Sequence, residues 1–194
     1  MPRTLSPAAV ESFRTRLCDV AEKLFAAHGP DGVTMREMAD ALGVSSMTPY
    51  RYFKDKDAIL AAVRTRAFSR FAAAMESARQ DAKARPGNAY VDFALGHPAA
   101  YRLMFDVSQP TFVDYPELVA AMGRARLTMG GGLRELAAAG RFMGDVELVA
   151  YVFWSTMHGA VMLELAGLLE GSKLDARKIA KPAVEALRKH FGIN

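Results

Sequence analysis

The chain has 194 residues, 51% hydrophobic and 24% charged, which is the balance of a globular protein of one domain or two small ones rather than of a disordered chain. Its single cysteine, Cys18, excludes an internal disulfide and any cysteine-cluster zinc site, suits a reducing cytoplasm, and reads as a small buried thiol. A formal charge of +4 is only mildly basic, so placement matters more than total, and residues 44–70 hold six Lys/Arg against two acidic residues.

Residues 1–7 lack the apolar core of a signal sequence. Ser6-Pro7 is a helix start, a capping serine with proline at the first helical position. Phe13, Leu17, Val20, Ala21, Leu24 and Phe25 then recur at helical spacing as far as Gly29-Pro30, giving a first amphipathic helix. Thr34 followed by Glu37 is a capping box, in which each side chain satisfies an orphan backbone N–H of the other. The helix it starts carries Met35, Met38, Ala39 and Leu42 on one face, and Gly43 can adopt the left-handed conformation that ends it. Ser45 or Thr48 can cap a second helix through Phe53. Two short helices joined by a three- or four-residue turn containing glycine form a helix-turn-helix, whose second helix enters the DNA major groove.

Pro49 complicates that second helix, because proline is comfortable only in a first helical turn. Either Thr48 caps and Pro49 is the first residue, or Ser45 caps and the proline sits one turn inside. Beyond it, Asp55 can cap a long helix beginning at Lys56, with Ile59, Leu60, Val63, Ala67, Phe68, Phe71 and Met75 on its apolar face. Nothing breaks that pattern before Pro86-Gly87, and a helix over 56–84 would span roughly 44 Å at 1.5 Å per residue.

Asn88 can cap a short helix to Gly96, and His97-Pro98 opens another carrying Tyr101, Leu103, Met104 and Phe105. Residues 108–115 read as a loop. From Pro116 an apolar stripe runs to Gly140 and contains three consecutive glycines, 130–132, each costing about 1 kcal/mol relative to alanine in a helix interior; a kink or close helix crossing would explain them. Asp145 can cap the next helix, apolar nearly all round, which in so short a chain asks for a second subunit as cover. Residues 148–169 are long enough to raise a membrane span, but His158 and Glu164 interrupt them and a buried helix fits better. A last helix over 175–191 contains Pro182, where a kink is expected. No alternating strand pattern, repeat or low-complexity segment is present, so the fold class is all-α: a helix-turn-helix domain over 1–55 and a larger helical domain over 56–194.

Residues 16–63, RLCDVAEKLFAAHGPDGVTMREMADALGVSSMTPYRYFKDKDAILAAV, resemble the DNA-binding domain of TetR/AcrR transcriptional regulators. The resemblance rests on the LFAAHG stripe, the Thr-x-x-Glu box, the turn at 41–45, and Tyr50-Arg51-Tyr52-Phe53 followed by Lys56. GHPAAYRLMFD and FWSTMHGAVMLELAG, with Trp154, His158 and Gly159, resemble the WHG-type ligand-binding domain of one branch of that family. The resemblance implies a homodimer that binds a palindromic double-stranded operator and releases it when a small molecule enters the C-terminal domain, with the last two long helices forming the dimer interface. Many relatives have an aliphatic residue where this chain has Pro49.

The candidate DNA-binding residues are Thr34, Arg36, Ser45, Ser46, Met47, Thr48, Tyr50, Arg51, Tyr52, Lys54 and Lys56. Hydroxyls, helix N-terminal N–H groups and lysines hold phosphates, whereas only side chains at the front of the second helix reach base edges. By resemblance Thr34, Tyr50, Tyr52 and Lys56 stand at phosphate positions; Ser46, Met47, Thr48 and Arg51 are the base readers. For an effector, Phe93, Tyr101, Met104, Phe105, Met122, Arg126, Trp154, Met157, His158 and Met162 could line an apolar cavity with few polar anchors. Aromatics and methionines at helical spacing serve equally as core, and His158 serves equally as a hydrogen-bonded structural histidine. Ser155 and His158 lie one helical turn apart, yet no nucleophile elbow, His-Glu-x-x-His, phosphate loop or dinucleotide fingerprint accompanies them. The reading is therefore a cytoplasmic regulator and not an enzyme, with no cofactor, metal or membrane partner. Its rival is a DNA-binding helical protein without a small-molecule ligand.

Overall fold

A computed structural model of the chain describes residues 6–81, 86–106 and 114–193. Among these there are nine α-helices, one short 3₁₀ turn and no strand. The helices are α1 (Pro7–His28), α2 (Met35–Ala41), α3 (Lys56–Gln80), α4 (Pro86–Gly96), α5 (Pro98–Met104), α6 (Pro116–Met129), α7 (Gly131–Ala138), α8 (Val146–Leu165) and α9 (Ala176–His190); the 3₁₀ turn is Pro49–Arg51. Most starts follow the capping chemistry read from the sequence. Ser6 Oγ accepts the Ala9 N–H at 3.2 Å, Asp55 accepts that of Ala58 at 2.8 Å and Asp145 those of Glu147 and Leu148; Asp175, expected only as the start of the last helix, also caps it by accepting the Lys178 N–H at 2.8 Å.

The described residues form two compact units: residues 1–68 with 99–121, and residues 69–98 with 122–194. Helix α3 contributes to both. In the first unit Leu17, Ala21, Phe25, Met38, Ile59 and Val63 are fully buried, as is Cys18 to within 3%. Arg64 of α3 is buried there too, and its Nη2 donates to the Met104 carbonyl at 3.2 Å, at the end of α5. Burial pulls the Arg64 guanidinium below its usual range, and Asp106 acts in the opposite direction. In the second unit Leu133, Phe142, Val149, Ala150 and Ile193 form a core cluster against which Phe153 and Phe191 pack.

Two expectations, the Asn88 cap and the single helix from Pro116 to Gly140, need correction. Helix α4 begins at Pro86, so Asn88 lies inside its first turn and caps nothing. The long helix is described to Gln80, and its expected continuation over 82–84 lies outside the described residues, as does most of the 108–115 loop. The glycine run breaks the stripe into two helices, α6 and α7, with Gly130 between them. A neighbour lies at the break: the Arg79 guanidinium crosses the start of α7 over Gly131, in the space a Cβ there would take. Finally, α8 buries Val149, Ala150, Met157, Ala160 and Val161 but leaves Leu148, Tyr151, Met162 and Leu163 exposed, so within one chain it is covered on one side only. By length and composition alone α8 could cross a membrane.

Pro182 lies inside α9, which continues to His190. Its missing N–H leaves the Lys178 carbonyl without a helical donor on an exposed face, where water can serve.

Candidate functional sites: a nucleic-acid interface and apolar clefts

The capping box at Thr34 forms in full. Glu37 N–H donates to Thr34 Oγ1 at 3.2 Å, and Thr34 N–H donates to Glu37 Oε2 at 2.7 Å. These bonds hold the Glu37 carboxyl below the usual carboxylate range, the Thr34 hydroxyl contributing most. Helix α2 then stops where Gly43 takes a φ of +66°, with its N–H returned to the Asp40 carbonyl at 3.0 Å.

The second helix departs from expectation. In place of a regular α-helix to Phe53 the chain makes successive tight turns: Thr48 N–H to Ser45 O at 2.8 Å, Arg51 N–H to Thr48 O at 3.1 Å, Tyr52 N–H to Pro49 O at 3.0 Å. Pro49 has no N–H for the Ser45 carbonyl, so the i→i−3 pattern takes over where the α pattern would need that bond. Thr48 already has helical angles (φ −64°, ψ −45°) and makes no side-chain cap, whereas Ser45 Oγ accepts the Met47 N–H at 3.4 Å. Pro49 is therefore the first residue of the 3₁₀ turn, follows the tight turn that begins at Ser45, and is buried.

This turn projects a row of side chains outward. Arg36, Ser45, Ser46, Met47, Tyr50, Arg51 and Lys54 are exposed, as is Thr34; Thr48, Tyr52 and Lys56 are half-buried. Met47 is 66% exposed and Tyr50 49%, unusual for such large side chains. Arg36 lies 3.8 Å from Asp40, and Lys54 4.0 Å from Asp55, both well exposed and weak. Arg51 has no acidic partner among the described residues. Lys56 Nζ donates to the Pro30 carbonyl at 2.7 Å, tying the start of α3 to the loop after α1.

Two residues missed in the sequence hold this surface in place. Phe13 stacks on Tyr52 with centroids 4.2 Å apart. Arg14 Nη1 donates to the Tyr52 carbonyl at 2.6 Å, and its guanidinium lies 4.0 Å from the centre of the Phe53 ring. Both sit on α1, some 38 residues away in sequence, and an arginine on a helix carries no local signal of such a partner.

The expected effector residues are divided between the units. Tyr101, Met104 and Phe105 belong to the first, where Phe105 meets Phe68 edge-on at 6.0 Å. Phe93, Met122, Arg126, Trp154, Met157, His158 and Met162 belong to the second. There Phe93 is core, edge-on to Phe71 at 5.2 Å, while Met122 and Met162 are exposed. Arg126 and Trp154 line one cleft of about 330 Å³, beside Arg134 and Tyr151, and Arg126 pairs with Glu147 at 3.0 Å. Met157 lines a second cleft of about 360 Å³ with Met75, Tyr90, Leu136 and Phe153.

Tyr90, fully buried, links these clefts and was not among the expected residues. Its hydroxyl accepts the Trp154 Nε1–H at 2.9 Å and lies 3.3 Å from His158 Nδ1, to which it can donate. Burial holds the His158 imidazole below its ordinary pKa and favours the neutral ring that such a bond requires. Among the described residues no cluster of His, Cys, Asp or Glu could hold a metal ion.

Residues 17–63 match the family model for bacterial regulatory proteins of the tetR family, and residues 84–187 match that for the tetracyclin repressor-like C-terminal domain. The HTH-type transcriptional regulator Rv0681 of Mycobacterium tuberculosis is 28% identical over 156 residues, covering 76% of this chain and 68% of its own. A protein of unknown function from Rhodococcus sp. RHA1 superposes with a TM-score of 0.80 at 27% identity over 98% of both chains. SmeT, the repressor of the Stenotrophomonas maltophilia multidrug efflux pump SmeDEF, shares the fold with a TM-score of 0.65 and 20% identity, covering 92% of this chain and 89% of its own.

Proposed function

Since the chain belongs to the TetR family of bacterial transcriptional regulators, we propose that it is a cytoplasmic, ligand-responsive repressor that binds a palindromic operator as a homodimer and leaves it when a small molecule occupies the C-terminal part. The observation that carries the DNA half is the outward row Ser45, Ser46, Met47, Tyr50 and Arg51, held rigidly on a capped helix-turn-helix. Ser46, Met47, Thr48 and Arg51 read bases; Thr34, Tyr50, Tyr52 and Lys56 position the backbone. Residues 1–55 are the reading domain, and residues 56–194 bind the effector and a second copy. SmeT, a repressor of the same fold, supports the sign of regulation. The uncovered apolar side of α8 supports the dimer, because Leu148, Tyr151, Met162 and Leu163 would otherwise stand in water.

In this mechanism the two recognition turns of a dimer enter successive major grooves about 34–36 Å apart. Effector occupancy shifts α3, the helix that contributes to both compact units, and spoils that spacing. A coupling of about 1–3 kcal/mol then lowers operator affinity by roughly 5–150-fold. The test is to select bound DNA from a random library, find effectors by ligand-shifted melting against metabolite and drug collections, and measure operator affinity over a salt series with and without them. Equal operator binding by free and effector-loaded protein would refute the switch. A library with no stabilising compound would favour a DNA-binding helical protein without a ligand.

A further inference from the structure

Resting on that ligand-responsive reading, we propose that the effector is a medium-sized amphipathic monocarboxylate, its apolar part in the cleft beside Tyr90 and Met157 and its carboxylate on Arg188 and Arg79. The cleft holds about 360 Å³, near the lower end of the roughly 300–1,000 Å³ typical of small-molecule sites. Its walls include Met75, Leu136, Phe153 and Met157, which suit a hydrocarbon or single-ring body. Its charge is one-sided. Among the described residues Arg79 and Arg188 line it and no acidic side chain does, whereas each of three neighbouring clefts contains a carboxylate: Glu147, Glu185, or Glu76 with Glu135.

The two arginines are held differently. Arg79 crosses Gly131, and its Nη2 lies 2.9 Å from Glu135 Oε1, which does not line the cleft. Arg188 stands exposed in the last turn of α9, with no acidic partner among the described residues, and lines both this cleft and the adjoining one. An apolar cleft edged by an uncompensated guanidinium favours an anion, and a carboxylate matches the two parallel donors of arginine. A cationic effector would meet like charge, and a neutral one would leave the fork to water.

Decanoate and its neutral isostere decanamide provide the test on the full chain. Binding is followed by calorimetry and by the fluorescence of Trp154, the lone tryptophan, whose Nε1–H bonds to the Tyr90 hydroxyl at the cleft wall. Decanoate should bind at least about tenfold more tightly than decanamide, the equivalent of one charge-assisted contact of about 1.4 kcal/mol. Arg188→Gln should abolish most of that preference, and Arg188→Lys should restore part of it while preserving a cation at the helix end. Equal affinity for acid and amide, or a preference untouched by both Arg188→Gln and Arg79→Gln, would overturn the assignment. Release of the operator by compounds of another class with no decanoate binding would refute the carboxylate while sparing the switch. An Arg188-dependent decanoate preference with unchanged operator affinity would refute the switch and spare the site.

Discussion

Arg14→Ala probes the support of the DNA-reading turn without touching the turn itself. The guanidinium makes one charged hydrogen bond, to the Tyr52 carbonyl at 2.6 Å, and lies 4.0 Å above the Phe53 ring. A bond of the first kind contributes about 1.5–3 kcal/mol and an exposed cation–π contact about 0.5–1. Because the side chain is only half-buried, solvent screening brings the expected total to roughly 2 kcal/mol. At about 2.1 cal/mol/K of unfolding entropy per residue, that lowers the melting temperature by about 5 °C if the chain melts as one, and by about twice that if the first compact unit melts by itself. Should the whole loss fall on the ordering of residues 45–53, operator affinity drops by roughly 30-fold at 1.4 kcal/mol per decade. Circular-dichroism melting and fluorescence anisotropy on the selected operator measure both, and Arg14→Lys, which lacks the planar fork, should fall between. The slope of log affinity against log salt should stay unchanged, because Arg14 acts through protein contacts. Wild-type stability and affinity in Arg14→Ala, or a slope reduced by about one, would refute this role; the latter would make Arg14 a direct phosphate contact.

Thr34→Ala removes the hydroxyl of the capping box and should cost about 1 kcal/mol in denaturant melts, while Thr34→Ser should lose little. Arg51→Ala should relax preference at one base position in a binding-site selection, by about 1–3 kcal/mol, while leaving the contacts of other positions intact. Lys56→Met, by contrast, should weaken binding to all sequences and flatten the salt slope by about one; with the Pro30 bond also lost, a drop in melting temperature should accompany it. The lowered pKa of His158 means that the unfolded chain binds more protons between that value and its ordinary ~6.5. Stability should therefore fall as pH drops through ~6.5 and level off below the folded-state value, and His158→Gln should remove that slope in urea titrations from pH 7.5 to 5.

The sequence alone determined the helix starts at Ser6, Thr34, Asp55, Asp145 and Asp175, the stop at Gly43, and the all-α, two-part plan. Each depends on bonds spanning three or four residues or on a 3.6-residue apolar period, so each is written locally. Of the residues expected from the same local logic to face DNA, Thr34, Arg36, Ser45, Ser46, Met47, Tyr50, Arg51 and Lys54 are exposed, while Thr48, Tyr52 and Lys56 are half-buried. Only the tertiary structure decided how Pro49 is accommodated: the proline withholds one N–H, and Arg14, Phe13 and the buried ring itself hold the tightened turn that results. Tertiary structure also joined Tyr90 to Trp154 and His158 across 64 and 68 residues, while Tyr101, Met104 and Phe105 fall in the other compact unit. Helical spacing says which face of a helix is apolar; it carries no record of which other helix covers that face. Gly131 shows the limit most plainly, since its helix-breaking cost is local but the Arg79 guanidinium that crosses it comes from a helix fifty residues away.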